Sequence, residues 1–202
     1  MRSLPRWLWL LALFLALLWY WNGSRPVRHA PGVLVGDPPL QQSLQAAPAQ
    51  PLRKGDVAIK PLATFSMSAR VLSRADYRWD SLAALVPVDL ALGWGRMSDS
   101  AVLERVRISQ SGRFFLWSVD QFPIPERELI ESATNMHLIP ADSTIERAIK
   151  RTRVGDVVTF DGYLVRIDWP TGANAVSSLT RSDTGTGACE IVWVENFSIA
   201  PR

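Results

Sequence analysis

The stretch Gly155–Val165, which reads GDVVTFDGYLV, decides the fold class because it has β-branched and aromatic residues on both sides of a glycine. Val157–Phe160 and Tyr163–Ile167 have the composition of strands. Asp161-Gly162 between them is typical of a bulge or a tight turn. We therefore predict two short strands that bend sharply where they meet.

Similar patterns occur towards both ends of the chain. In Ala63–Val71, apolar and polar residues alternate, which predicts a half-buried strand. Further strands are predicted for Arg113–Val119, which follows a turn at Ser111-Gly112, and for Cys189–Ile199.

Three helices are predicted among these strands, at Ser98–Val106, Pro125–Ala133 and Ser143–Arg151. The last begins with Ser143 and has Glu146 three positions later, the pattern of a capping box. Short, curved strands with a helix before the last few favour an α+β domain built on a small, partly open barrel over a sandwich.

Two resemblances bear on this domain. The glycine-bent segment 155–165 resembles the strands of small barrels such as the OB-fold. As a whole, the chain resembles uncharacterised single-span envelope proteins of Gram-negative bacteria, and this resemblance implies no mechanism and no cofactor.

The charge is unevenly distributed along the 202 residues. Residues 1–53 contain five arginines and one acid, Asp37, which leaves 17 of the 22 basic and 18 of the 19 acidic residues for the rest. The folded part is therefore close to neutral, whereas a nucleic-acid-binding domain carries a net basic surface. This balance excludes nucleic acid as the expected partner.

The segment Trp7–Trp21, WLWLLALFLALLWYW, is uninterruptedly apolar and predicts a transmembrane signal anchor after a cytoplasmic tail at 1–6. A cleaved signal peptide and a buried helix are the alternatives. The predicted location is the inner membrane, with a single span and the C-terminal domain in the periplasm. The residues expected at the two membrane interfaces are aromatic: Trp7, Trp9, Trp19, Tyr20 and Trp21.

Residues 22–53 contain six prolines and predict a linker that holds the β-rich domain, residues 54–202, away from the bilayer. The alternative is an ordered arm packed on the domain, chiefly around Val33–Val35. The predicted fold class is thus α+β: an N-terminal transmembrane helix, a proline-rich linker, and a small-barrel domain with about three short helices.

Cys189 and His137 are the candidate catalytic pair, because a nucleophilic cysteine needs a nearby base or cation to favour its thiolate. Cys189 follows a glycine-bearing loop and opens a strand. The alternatives are a small buried cysteine without a role in chemistry and a histidine bonded to backbone on an edge strand.

The order His137, Cys189, Arg202 resembles that of sortases, membrane-anchored β-barrel transpeptidases. The resemblance implies a cysteine-dependent acyl transferase or peptidase. The residues before the cysteine, Thr186-Gly187-Ala188, depart from the sortase pattern.

Other candidates are binding residues. Trp94 could stack on a glycan beside paired carboxylates, whose candidates are Asp76, Asp80, Asp89 and Asp99. The basic residues Arg147, Lys150 and Arg151 form either a solvated helix end or a weak dock for an anionic head group or an acidic partner. One cysteine and two histidines argue against a zinc site, and no cofactor is predicted.

Two functions are therefore expected. The first is a membrane-anchored, non-enzymatic protein of the cell envelope whose partners are the lipid bilayer and another envelope protein or a cell-wall component. The second is the cysteine-dependent acyl transferase or peptidase that uses Cys189 and His137.

Overall fold

The computed structural model describes residues 25–46, 48–180 and 189–202, together with Pro5 and residues 7–11 and 13–14. The strands are β1 (Leu40–Ser43), β2 (Leu52–Lys54), β3 (Val57–Asp76), β4 (Val88–Gly93), β5 (Arg107–Ser111), β6 (Phe114–Ser118), β7 (Ala133–Pro140), β8 (Val157–Asp168), β9 (Asn174–Val176) and β10 (Glu190–Ile199). The helices that follow β4 are a 3-10 turn at Gly95–Ser98, α1 (Ser100–Leu103), α2 (Glu126–Glu131) and α3 (Ser143–Lys150).

Five strands close into a barrel in the order β3-β4-β7-β10-β8, and β8 pairs back onto β3. All these pairs are antiparallel except β7–β10, which is parallel. Helix α3 connects β7 to β8. This is the strand order of an OB-fold, a five-stranded Greek-key barrel.

The barrel closes because each strand turns every second residue inward. The interior contains Phe65, Leu90, Leu138, Phe160 and Val192, all at most 2% exposed. Residues between them on the same strands face outward. Polar side chains on adjacent strands can therefore come into contact on the outer surface.

Of the bulge and the tight turn predicted at Asp161-Gly162, the structure excludes the turn, because β8 runs unbroken through both residues. Gly162 bends the strand where β10 has a bulge between Val194 and Asn196. A Cβ atom on Gly162 would lie 1.9 Å from the carbonyl oxygen of Trp193, so only glycine fits here.

The chain between β4 and β7 is a long insertion that covers the outer face of these two strands. It contains the 3-10 turn, α1, the β5–β6 hairpin and α2. Its buried residues, such as Met97 and Leu129, pack with Ala91 of β4, and Phe115 and Trp117 of the hairpin lie against the same cluster. The hairpin forms its own two-stranded sheet rather than joining the barrel.

Much of the predicted linker is packed on the barrel. The amide of Val27 donates to the carbonyl of Val154 at 2.8 Å, and the amide of Val35 donates to Oγ of Ser98 at 3.1 Å. Val35 itself is only 8% exposed and belongs to the core. Strands β1 and β2 both pair with β3. These contacts favour the ordered arm over the flexible tether.

The predicted transmembrane helix is contradicted. Within the residues that the structure describes, no helix is long and apolar enough to cross a membrane. Trp19, Tyr20 and Trp21 lie outside the described residues, as do those of the predicted tail apart from Pro5.

The predictions that depended on this helix are corrected with it. The predicted fold class is wrong in its N-terminal element, and the inner-membrane, single-pass location loses its basis. Trp7 and Trp9, predicted to lie at a membrane interface, are 61% and 67% exposed.

One helix start also differs from its prediction. Asp142, not Ser143, is the N-cap of α3, and its carboxylate accepts from the amides of Thr144 and Ile145 at 2.6 and 2.9 Å. An aspartate carboxylate adds a favourable charge at the positive end of the helix dipole.

Candidate active site on the outer face of the barrel

Three neighbouring strands bring a row of polar side chains together on the outer face. Asp89 of β4 lies opposite His137 of β7, and Ala91 lies opposite Asn135. On the other side of β7, β10 places Glu190 beside Met136, so Cys189 lies next to Asn135. Because Leu90, Met136 and Leu138 between them fill the barrel, the side chains of Asp89, Asn135 and His137 point outward, on the face where Cys189 lies.

His137 lies between a carboxylate and a thiol. Its Nδ1 is 2.9 Å from Oδ1 of Asp89. Cys189 lies on the same face, next to Asn135, and interacts with the same imidazole. The Nδ1–Oδ1 contact is an ion pair rather than an in-line hydrogen bond.

These neighbours set the charge of the imidazole. Burial lowers the pKa of His137, but the contacts with Asp89 and Cys189 outweigh it and raise the pKa from 6.5 to about 9. His137 is only 8% exposed and Asp89 is fully buried, so water screens the charges weakly. At neutral pH the imidazole is therefore protonated.

Asn135 places an amide donor next to the sulfur. Its Nδ2 donates to the main-chain carbonyl of Arg113 at 3.0 Å and lies 3.9 Å from Sγ of Cys189. Its Oδ1 accepts from Nε2 of Gln110 at 2.6 Å, which fixes the orientation of the amide. The donor group therefore faces the thiol.

The turn of the β5–β6 hairpin covers this row. Arg113, at φ +68°, donates from Nη1 to Oδ1 of Asp89 at 3.0 Å and from Nη2 to both oxygens of Asp80 at 2.8 and 3.0 Å. Its guanidinium lies over the ring of Tyr77, 3.9 Å from the centroid.

Two pKa values reflect the closeness of these charges. Slight burial opposes the ionisation of Asp80, but hydrogen bonds from Arg113 and from the amide of Leu82 keep the pKa of this carboxyl below its usual value. Burial and the negative charge of Asp89 raise the pKa of Tyr77. The pocket around the Arg113 guanidinium is thus anionic on two sides and aromatic on a third.

The structure brings together only part of the predicted catalytic set. Cys189 and His137 meet, and β7 is a central strand between β4 and β10 rather than the predicted edge strand. Arg202 pairs instead with Asp156, at 2.8 and 2.9 Å. It follows the far end of β10, whose ten residues span about 30 Å. The sortase-like role of Arg202 is therefore wrong.

The predicted glycan site does not form. Trp94 is 4% exposed and belongs to the barrel core, so it offers no stacking surface. Asp99 caps α1 through the amide of Ala101, and Asp76 pairs with Arg74. Only Asp80 and Asp89 come together, and Arg113 bridges them.

The basic residues of α3 make local contacts. Arg147 bonds to the hydroxyls of Ser143 and Thr144, and Lys150 pairs with Glu146. Arg151 lines a shallow cavity with Phe197 and Arg202. Their role in binding an anionic partner stays a prediction.

Sequence reasoning missed two members of the site, Asn135 and Arg113, and the role of a third, Asp89. Asp89 interrupts an apolar run, Leu85 to Leu92, and a charge within such a strand is the signal that could have revealed it. Asn135 and Arg113 have no comparable signal, because only the tertiary structure brings the hairpin turn over β7.

No group of three or more His, Cys, Asp and Glu side chains in the described ranges is arranged to hold a metal ion. A comparison of the chain with models of protein families, with curated proteins and with solved structures found no match.

Proposed function

We propose that the protein is a cysteine-dependent acyl transferase or peptidase, with Cys189 as nucleophile, His137 as its acid–base partner and Asp89 as the carboxylate that holds the imidazolium. The observation that supports this function is the position of His137, which contacts the thiol on one side and the buried carboxylate on the other. Two residues distant in sequence from the thiol contribute to this arrangement.

The chemistry follows from these positions. The thiolate attacks a carbonyl carbon, and the C–S bond forms as the carbonyl π pair moves onto oxygen. The electron pair on the oxygen then re-forms the C=O double bond, and the bond from the carbonyl carbon to the leaving amine or alcohol breaks. The leaving group takes the proton of His137. Water or an acceptor amine attacks the resulting thioester and gives its proton to His137, and the C–S bond breaks with its electrons returning to sulfur.

The test is the pH dependence of alkylation by iodoacetamide, since Cys189 is the only cysteine in the chain. An ordinary thiol loses roughly 200-fold in rate between pH 9 and pH 6, because its thiolate disappears. We expect the wild-type rate to change less than about tenfold over this range, since the imidazolium keeps the sulfur ionised.

His137→Gln is the decisive variant, and Arg107→Ala, on the exposed side of the hairpin, is its matched control. His137→Gln should show the steep profile of an ordinary thiol, whereas Arg107→Ala should keep the flat one. A steep profile in the wild type would contradict the proposal.

A second function is the non-enzymatic interaction protein that binds another envelope protein or a cell-wall component. The observation that favours it is a set of exposed apolar side chains: Trp79 is 95%, Leu116 53% and Phe114 47% exposed. Co-sedimentation with isolated cell-wall sacculi tests it. Leu116→Asp should lower the bound fraction at least threefold and Cys189→Ser should leave it unchanged; no co-sedimentation of the wild type excludes this partner.

A further inference from the structure

The main-chain carbonyl of Arg113 occupies the place that a substrate carbonyl would need. Its oxygen accepts from Nδ2 of Asn135 at 3.0 Å and lies 4.0 Å from Sγ of Cys189. An amide donor beside the nucleophile is what stabilises the oxyanion of an acyl-transfer intermediate. The hairpin turn thus places a peptide carbonyl beside both the amide donor and the thiol.

The side chain of Arg113 fills a pocket built for a cation. Asp80 and Asp89 hold the guanidinium from two directions, the carbonyl of Val86 accepts from Nη2 at 3.1 Å, and Tyr77 supplies an aromatic face. The side chain is 14% exposed. This set of partners recognises arginine rather than a generic apolar residue.

One buried acceptor in this pocket is unused. Both His137 and Arg113 contact Oδ1 of Asp89, while Oδ2, on a fully buried carboxylate, has no hydrogen-bond partner among the described residues. A guanidinium that forked onto both oxygens would satisfy Oδ2, and such bidentate pairs are stronger than single contacts. A separate guanidinium could therefore use an acceptor that Arg113 leaves free.

We infer that the turn of the β5–β6 hairpin is an internal mimic of the substrate, and that the substrate is a peptide whose arginine occupies the Asp80–Asp89–Tyr77 pocket with its carbonyl on Asn135 beside Cys189. The inference rests on the proposed function and deepens it. Because the hairpin shares no ladder with the barrel, its turn can leave without opening the barrel.

The test compares two affinity labels that differ only in the side chain: an acylated arginine chloromethyl ketone and its norleucine analogue. Attack by Sγ forms a C–S bond at the methylene and releases chloride, and intact-mass spectrometry reports the rate. Arg113→Ala should react with the arginine label at least tenfold faster than with the norleucine label, because the emptied pocket receives the guanidinium. The wild type should react with the arginine label at least tenfold more slowly than Arg113→Ala.

Arg107→Ala is the control on the same hairpin, where Arg107 pairs with Asp120 rather than with the site, and it should behave as wild type. Cys189→Ser should remain unlabelled. Equal rates for the two labels in Arg113→Ala would overturn the inference.

A second variant covers the case in which Arg113→Ala does not fold, since it leaves Asp89 without its cation. Asp80 is 39% exposed at its side chain, so Asp80→Asn loosens the turn at little cost to the fold. We expect it to raise the iodoacetamide rate of Cys189 at least threefold at pH 7; an unchanged rate counts against the mimic.

The two proposals fail in different ways. A flat pH profile with no preference for the arginine label rejects the substrate mimic alone. A steep profile in both the wild type and Arg113→Ala rejects the cysteine-dependent chemistry on which it rests.

Discussion

His137 is held between two acidic groups on a covered face, and this makes its protonation part of the stability of the fold. The groups that face it are Asp89 on β4 and Cys189 before β10, with Arg113 on the far side of Asp89. Their contacts outweigh the burial penalty and raise the pKa of His137 from 6.5 to about 9 in the folded chain. The folded state therefore binds a proton that the unfolded state releases.

The sign of the pH dependence follows from linkage. A raised folded-state pKa stabilises the fold fully below pH 6.5, and this stabilisation is lost as the pH rises through about 9. The proposed thiolate of Cys189 would offset this proton in the wild type, so the measurement is made in Cys189→Ser, where we expect the free energy of unfolding to fall by up to about 3 kcal/mol as the pH rises through this range. Urea unfolding at pH 6, 7.5 and 9.5 measures it. The same series on His137→Gln should be flatter; an equal slope would show that other groups are responsible.

At the residue scale, sequence reasoning identified the thiol and the imidazole but not their partners. A lone cysteine and a histidine are rare enough to be noticed as residue types. The sequence predicts Asp89 only as one of four candidate carboxylates for a glycan site, because it does not reveal the bounds of β4. Arg113 was read as the start of a strand, whereas its function depends on a turn that reaches across the barrel.

At the scale of elements, the pairing of β8 with β10 requires a glycine at position 162. Gly162 lies at the β10 bulge, and a Cβ there would lie 1.9 Å from the carbonyl oxygen of Trp193. Gly162→Ala should therefore lower the free energy of unfolding by about 2–4 kcal/mol, because main chain must move to relieve the overlap.

Gly36→Ala is the matched control, since its added Cβ would meet nothing within 4 Å and its φ is not positive. Urea unfolding of both variants at pH 7 measures the difference. If Gly162→Ala lowers the free energy of unfolding by less than about 1 kcal/mol, the main chain of β8 and β10 adjusts easily to the added Cβ.

The elements also show what a local pattern can and cannot decide. Periodicity located the parts of β3, β8 and β10, because alternation reflects burial on two faces. It split β8 at Gly162, since the same dipeptide serves a turn and a bulge. Only the pairing with β10, more than thirty positions away in sequence, selects the bulge.

At the scale of the whole molecule, the arm of residues 25–43 bonds to Val154 and Ser98, pairs with β3 and contributes Val35 to the core. Val35 inserts there at 8% exposure, while Val33 nearby is 49% exposed. Val35→Asp should lower the free energy of unfolding by at least about 2 kcal/mol, because a buried unpaired charge is costly.

Val33→Asp is the control and should change the free energy of unfolding by less than about 0.5 kcal/mol. Limited proteolysis gives an independent measure: cleavage within residues 25–46 should be slow in the wild type and in Val33→Asp, and fast in Val35→Asp. Rapid cleavage of the wild type would contradict the ordered arm and support the flexible tether.

The whole molecule differs from its prediction most at the N-terminal side. The six prolines between Asn22 and Arg53 predict a flexible tether, since proline removes backbone donors. The arm instead uses the donors that remain, such as the amides of Val27 and Val35, on acceptors of the barrel. The composition shows which backbone N–H donors proline removes. It does not show which acceptors of the folded domain the remaining donors will reach.

The placement of Asp89 and His137 on adjacent strands, with Cys189 directly before β10, has a practical consequence for anyone who prepares this protein. A shift of one residue between any two of these strands would turn one member into the apolar interior. Misaligned molecules would then be silent in an alkylation assay rather than partly active. The fraction of sulfur that reacts fast at pH 6 would thus count correctly assembled molecules in a refolded batch.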